Sequence, residues 1–140
     1  MNHLERKDII QWMLALAFLA NLGAYQVSQQ LLARGLLEAN PLYNAYGLKV
    51  EPSLVLLGVV IVVWLLYKVA VRARKTETRA MYGFIVGVVL AFTLADLLRD
   101  LTYLYGFTAH YEFFSWGFTI VLAVGIGAYA SALMVAPVKR

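Results

Sequence analysis

The sequence predicts an all-α integral membrane protein, a bundle of four transmembrane helices. Three observations carry this. Hydrophobic residues make up 62% of the 140 residues and charged residues only 14%, against roughly 45–50% and about 25% in soluble domains. A soluble domain of this length keeps too much of its surface wet to hide so many apolar side chains. The apolar residues are gathered into four continuous runs, each close to the ~20 residues that a helix needs to cross a ~30 Å hydrocarbon core. Finally, lysine and arginine are distributed unevenly between the connecting segments. The runs do not alternate in polarity and are too long for barrel strands of about 9–11 residues. In lipid each backbone amide needs an internal partner, which leaves helices. The spans read as one membrane domain over residues 1–140, with helices at 8–33, 52–73, 79–105 and 112–136.

The first run, IIQWMLALAFLANLGAY, covers Ile9 to Tyr25. Arg6 and Lys7 precede it, as in a secretory signal. Glu5 and Asp8 in the same segment, and Asn21 within the apolar stretch, favour a retained span instead. Its far half is polar, with Asn21, Tyr25, Gln26, Ser28, Gln29 and Gln30. Asn21, Tyr25 and Ser28 fall on one helical face, and Ala20, Ala24 and Ser28 recur every fourth residue.

The second run, LVLLGVVIVVWLLYKVAV, covers Leu54 to Val71. It is bulky and β-branched on every side apart from Gly58. Helices in lipid associate by close approach at small residues, so this helix is expected to face lipid most. The third run, Met81 to Leu98, has Gly83, Gly87, Ala91 and Ala95 in an unbroken four-residue spacing. The fourth, Phe113 to Val135, has Ala123, Gly127 and Ser131, with a second row at Ala128, Ala132 and Ala136. Tight contacts are therefore expected among the first, third and fourth helices. The glycines of the fourth run are packing residues, not a phosphate-binding loop.

Two hairpins of related sequence are a further possibility. Leu-Ala-Phe occurs at Leu16 to Phe18 and again at Leu90 to Phe92, and Glu38 and Glu112 keep the same spacing. Parallel repeats about an axis along the membrane normal would produce this.

Orientation follows from the basic residues. Arg6, Lys7, Lys68, Arg72, Arg74, Lys75, Arg79, Lys139 and Arg140 fall on one side of a four-span chain. Arg34, Lys49 and Arg99 fall on the other. Both termini are expected in the cytoplasm. The basic loop is expected to lie beside anionic lipid and not nucleic acid.

The polar groups collect at the opposite end. The third run leads into Asp96, Arg99 and Asp100, which share a helical face with Tyr103. Arg99 can neutralise one carboxylate; the other needs another donor, water or a proton. Glu38, Asn40, His110 and Glu112 lie in the two connecting segments on that side, and Asn21 faces it from the first helix. Tyr43, Tyr46, Tyr103, Tyr105, Tyr111 and Trp116 suit an aromatic belt.

These residues can form an interfacial network that fixes helix orientation and does nothing more. A carboxylate at a helix centre costs roughly 2.5–3.5 kcal/mol, less toward the interface, so Asp96 also invites a functional role. Three chemistries fall short. His110 and Glu112 with Asp96 or Asp100 lack a recognised ligand spacing, and zinc favours more nitrogen or sulfur. Glu38, Asp96 and His110 contain an acid–base set but no catalytic motif. An ion path would need polar groups across the other half of the membrane, where Gln11 stands alone. With no cysteine, thiolate metal sites and thiol catalysis are excluded. No cofactor, metal or enzymatic activity is expected.

The segment GLLEANPLYNAYG, Gly35 to Gly47, resembles a family of small prokaryotic multi-span proteins of unknown function. Their first hairpin carries a glycine turn followed by Glu-x-Asn-Pro-Leu, here Glu38, Asn40, Pro41 and Leu42. They also carry an acid or amide in the first helix, matched by Asn21, and a basic residue within the second, where this chain has Lys68 at its end. The resemblance covers about the first 60 residues and implies an architecture without an activity.

The expected role is a small accessory or structural subunit that packs against a larger membrane assembly or copies of itself. The alternative is a ligand-binding or transport module built on the ionic cluster around Asp96.

Overall fold

A computed structural model describes residues 3–34, 52–106 and 116–136. Glu38, Asn40, Pro41, His110 and Glu112 lie outside the described residues, as does the Glu-x-Asn-Pro-Leu segment. The elements are α1 (His3–Ala33), α2 (Pro52–Leu65), α3 (Tyr67–Arg72), α4 (Thr76–Leu104) and α5 (Trp116–Val135). The described residues contain no strand. Four helices are long and apolar enough to cross a membrane, with α2 and α3 together making one of them, Leu54–Arg72. The all-α four-helix bundle expected from the sequence is the architecture observed.

Helix bounds follow local chemistry. The expected start at 79 moves back to Thr76, immediately after the extended Lys75. The expected start at 8 moves back to His3. At 31 residues and about 1.5 Å per residue, α1 exceeds a ~30 Å core, so it must tilt or project. α4 ends through Gly106, whose φ of 76° suits glycine and little else. The Tyr105 amide donates to the Leu101 carbonyl and the Gly106 amide to that of Tyr103.

The second span is broken at Leu66. The Tyr82 hydroxyl donates to the Val63 carbonyl at 2.7 Å. In an unbroken helix that carbonyl accepts from the Tyr67 amide. A side chain inserted at such a rung is an established cause of a break. Tyr67 itself packs on Tyr82, with ring centroids 6.4 Å apart, and its hydroxyl meets the Gln11 side chain.

Packing gives a rhombic bundle with α1 and α4 at its centre, α2 against α1 and α5 against α4. α4 and α5 run antiparallel and nearly touch through glycine. A Cβ at Gly83 would lie 2.5 Å from the Ala130 carbonyl oxygen, and one at Gly87 the same distance from the Gly127 Cα. Gly127 in turn lies under the Phe84 ring. Ala91, Ala95 and Ala123 are buried and Ser131 is half-buried. The expected small-residue packing of the third and fourth spans is therefore present, with an addition. Gly83 faces Ala130, which stands in neither expected row of the fourth span. The second row turns outward, since Ala128 and Ala132 are exposed.

The first and fourth spans do not pack closely on each other; both pack on α4. The second span buries the smallest share of its residues, as its bulky surface predicted. α1 and α4 run parallel, with Gly23 beside Leu97, Ser28 beside Asp100 and Arg34 near Leu104. These pairs are 70 to 74 residues apart, close to the spacing of the repeated Leu-Ala-Phe. Two hairpins related by an axis between α1 and α4 would bring equivalent residues to equal height in this way.

The bundle is divided along its length. Ile10, Met13, Leu14, Val60, Val63, Tyr67, Tyr82 and Val86 form a large apolar core toward the end that carries the basic loop. Toward the other end the buried positions of α1 and α4 are, apart from Val27, small or polar: Ala20, Asn21, Ala24, Ser28, Ala91, Thr93 and Ala95. Small side chains let the two backbones approach, and that seam leads into the polar site.

Candidate functional site

The site lies along the seam between α1 and α4, which fixes its residues in register. Asp96 and Arg99 are one turn apart on α4 and form an ion pair. Both are largely, though not fully, enclosed. Of the two carboxylates available to Arg99, this one is within reach because i,i+3 side chains lie over one another on a helix.

Asp100 has another donor. The Ser28 hydroxyl donates to Asp100 Oδ2 at 2.7 Å, linking α1 to α4. A hydrogen bond to a carboxylate is stronger than one between neutral groups, about 1.5–3 kcal/mol net. Ser28 was legible in the sequence as a small polar residue on the buried face of α1. Its pairing with Asp100 was not, because it depends on the parallel register of two helices far apart in sequence. Arg34 points its guanidinium toward the Leu104 carbonyl at 3.5 Å, near the last turn of α4. A cation there complements the exposed carbonyls of a helix end.

A buried hydroxyl and a buried amide continue the seam inward, and a half-buried hydroxyl lies on its outer side. Thr93 is fully buried, and its Oγ1 donates to the Leu90 carbonyl at 2.9 Å. Such a bond to the helix's own backbone satisfies the hydroxyl without a partner helix. Thr102 makes the same local bond to the Arg99 carbonyl at 2.7 Å. Asn21 differs. It is fully buried, and neither its Oδ1 nor its Nδ2 has a hydrogen-bond partner among the described residues. An unsatisfied amide in an apolar setting costs about 1–3 kcal/mol by mutational measures, more than an equivalent group facing water.

The structure thus joins five expected or adjacent polar residues into one seam: Asn21, Ser28, Asp96, Arg99 and Asp100. Their arrangement is two short links, Asp96 with Arg99 and Ser28 with Asp100, and one buried amide farther along α1. A bidentate or multipoint ligand site of metal type does not arise from them: among the described residues no three His, Asp or Glu side chains gather in a metal-binding group. What the seam can do chemically is hold a dipole or a small cation donor near paired carboxylates, or simply lock the register of α1 on α4. Comparison with protein-family models, curated proteins and solved structures finds no match to this chain.

Proposed function

We propose that the protein is a small accessory or structural subunit that docks in the membrane on another helix, of a larger assembly or of a second copy. The outward face of α5 carries this reading. Gly125, Ala128 and Ala132 are all exposed there, and a Cβ at Gly125 would meet nothing within 4 Å. Val121, Val124 and Tyr129 are exposed around them, whereas the outward face of α2 presents Val55, Val59 and Val62 with Gly58 as its small residue. Lipid tails fill in around bulky side chains as well as any protein does; a flat strip of glycine and alanine suits the backbone of another helix. Both termini lie in the cytoplasm on this reading, supported by the nine basic residues on that side.

Purification from native membranes in mild detergent tests it. Gly125→Leu and Ala128→Leu should release the bound subunit or reduce the oligomer to a monomer while the four-helix fold survives. A wild-type chain that emerges as a lone monomer, or variants that keep the partner, would overturn the docking role.

Asn21 favours a second reading, a ligand-binding or transport module using the seam around Asp96. A buried amide without a partner among the described residues, on the helix that packs against the one carrying the ion pair, is a group that a polar ligand or water would satisfy. Here Asn21→Leu and Asp96→Asn should abolish a ligand-dependent change in thermal stability without dissociating any partner. Unchanged ligand response in both variants removes this alternative.

A further inference from the structure

The described residues hold one feature that neither reading uses. At the end of the second span, Lys68, Val69, Arg72 and Ala73 line a shallow cleft of about 430 Å³. Lys68 and Arg72 are exposed, four residues apart on one face of α3. Like charges at that spacing repel. No carboxylate answers either cation among the described residues, where the ion pair is that of Asp96 with Arg99. From 68 to 79, Arg74, Lys75 and Arg79 add to the charge and Glu77 opposes it, and Asp8 on α1 acts on Tyr67 beside Lys68.

The cleft sits where a membrane changes character. Arg72 is the last residue of the apolar span Leu54–Arg72, so its guanidinium is at headgroup level. Lys68 lies one turn deeper, and its long stem lets the amine reach the same level. Val69 is itself highly exposed, and one and two turns further into the span Leu65 and Val62 are exposed too. These three recur at the four- and three-residue spacings that keep one helical face. A paired cationic cleft on α3 therefore continues, across the break at Leu66, into exposed apolar side chains at the end of α2.

We infer that this cleft holds the phosphate of an anionic glycerophospholipid, with an acyl chain lying along Val69, Leu65 and Val62. The phosphate bridges Lys68 and Arg72 and relieves their repulsion. Net negative charge on the headgroup distinguishes this lipid from a zwitterionic one, whose own ammonium would be repelled by the surrounding loop. The apolar track distinguishes it from free phosphate, which would gain nothing from Val69, Leu65 or Val62.

The intact chain, reconstituted in bilayers of phosphatidylcholine alone or mixed with phosphatidylglycerol, provides the test, with retained lipids counted by native mass spectrometry. Phosphatidylglycerol should be retained over phosphatidylcholine. Lys68→Gln and Arg72→Gln should each reduce that preference roughly fivefold, the effect of one cation near an anionic surface. Lys68→Arg, which keeps the charge, should retain it. The double variant Arg74→Gln and Lys75→Gln removes twice the charge of either single variant, all of it outside the cleft, and should still cost less preference than either, since it removes no lining contact. An equal loss in that loop variant would mean diffuse attraction and overturn the site. So would equal retention of phosphatidylcholine, or displacement of the lipid by inorganic phosphate.

Discussion

Arg99 is the residue whose removal should be felt most at the polar end. It is paired with Asp96 on the same helix, in a position only partly open to its surroundings. Taking away one member of an enclosed pair strands the other charge, which costs more than the pair contributes. Arg99→Gln is therefore expected to destabilise the bundle by about 2–3 kcal/mol, near the insertion cost of a lone carboxylate. Adding Asp96→Asn to it should restore most of that loss. Unfolding in detergent across the double-mutant cycle measures both; additive losses would show that the two side chains do not interact. The sequence displayed three ionisable groups within five residues and two possible partners for Arg99. Which carboxylate it takes, and that Ser28 serves the other, depend on side-chain placement across α1 and α4.

At the scale of elements, glycine decides how closely α4 and α5 approach. A Cβ at Gly87 would fall 2.5 Å from the backbone of Gly127, so any side chain there must force the helices apart. Gly87→Leu is expected to cost at least the ~1–3 kcal/mol typical of overpacking. Gly58→Ala supplies the contrast. Nothing lies within 4 Å of a Cβ at Gly58, so the substitution should gain up to about 1 kcal/mol from helix propensity alone. Thermal unfolding of the two variants in one detergent checks the pair, and a comparable loss in both would contradict the packing described. The four-residue spacing of Gly83 and Gly87 already announced a close contact. It did not announce Ala130 as the facing residue, or the break at Leu66, because both come from other helices.

At the scale of the whole molecule, the basic residues predict that both termini face the cytoplasm. The chain has no cysteine, so single cysteines can be introduced and labelled without background. A cysteine replacing Lys75 should be protected from an impermeant thiol reagent added outside intact cells, and one replacing Ala109 should be modified. The opposite pattern would invert the bundle. By itself the sequence determined the solvent of this protein, the helical form of its spans, their approximate ends and the end at which charge collects. Those properties follow from composition and local spacing, since an apolar run must satisfy its own backbone wherever it lies in the membrane. Only the tertiary structure decided that α4 lies between α1 and α5, that Asn21 is enclosed without a partner among the described residues, and that one face of α5 remains open. Each of these depends on which helices meet and at what register, and every small-residue row in the sequence offers more than one helix the same close approach.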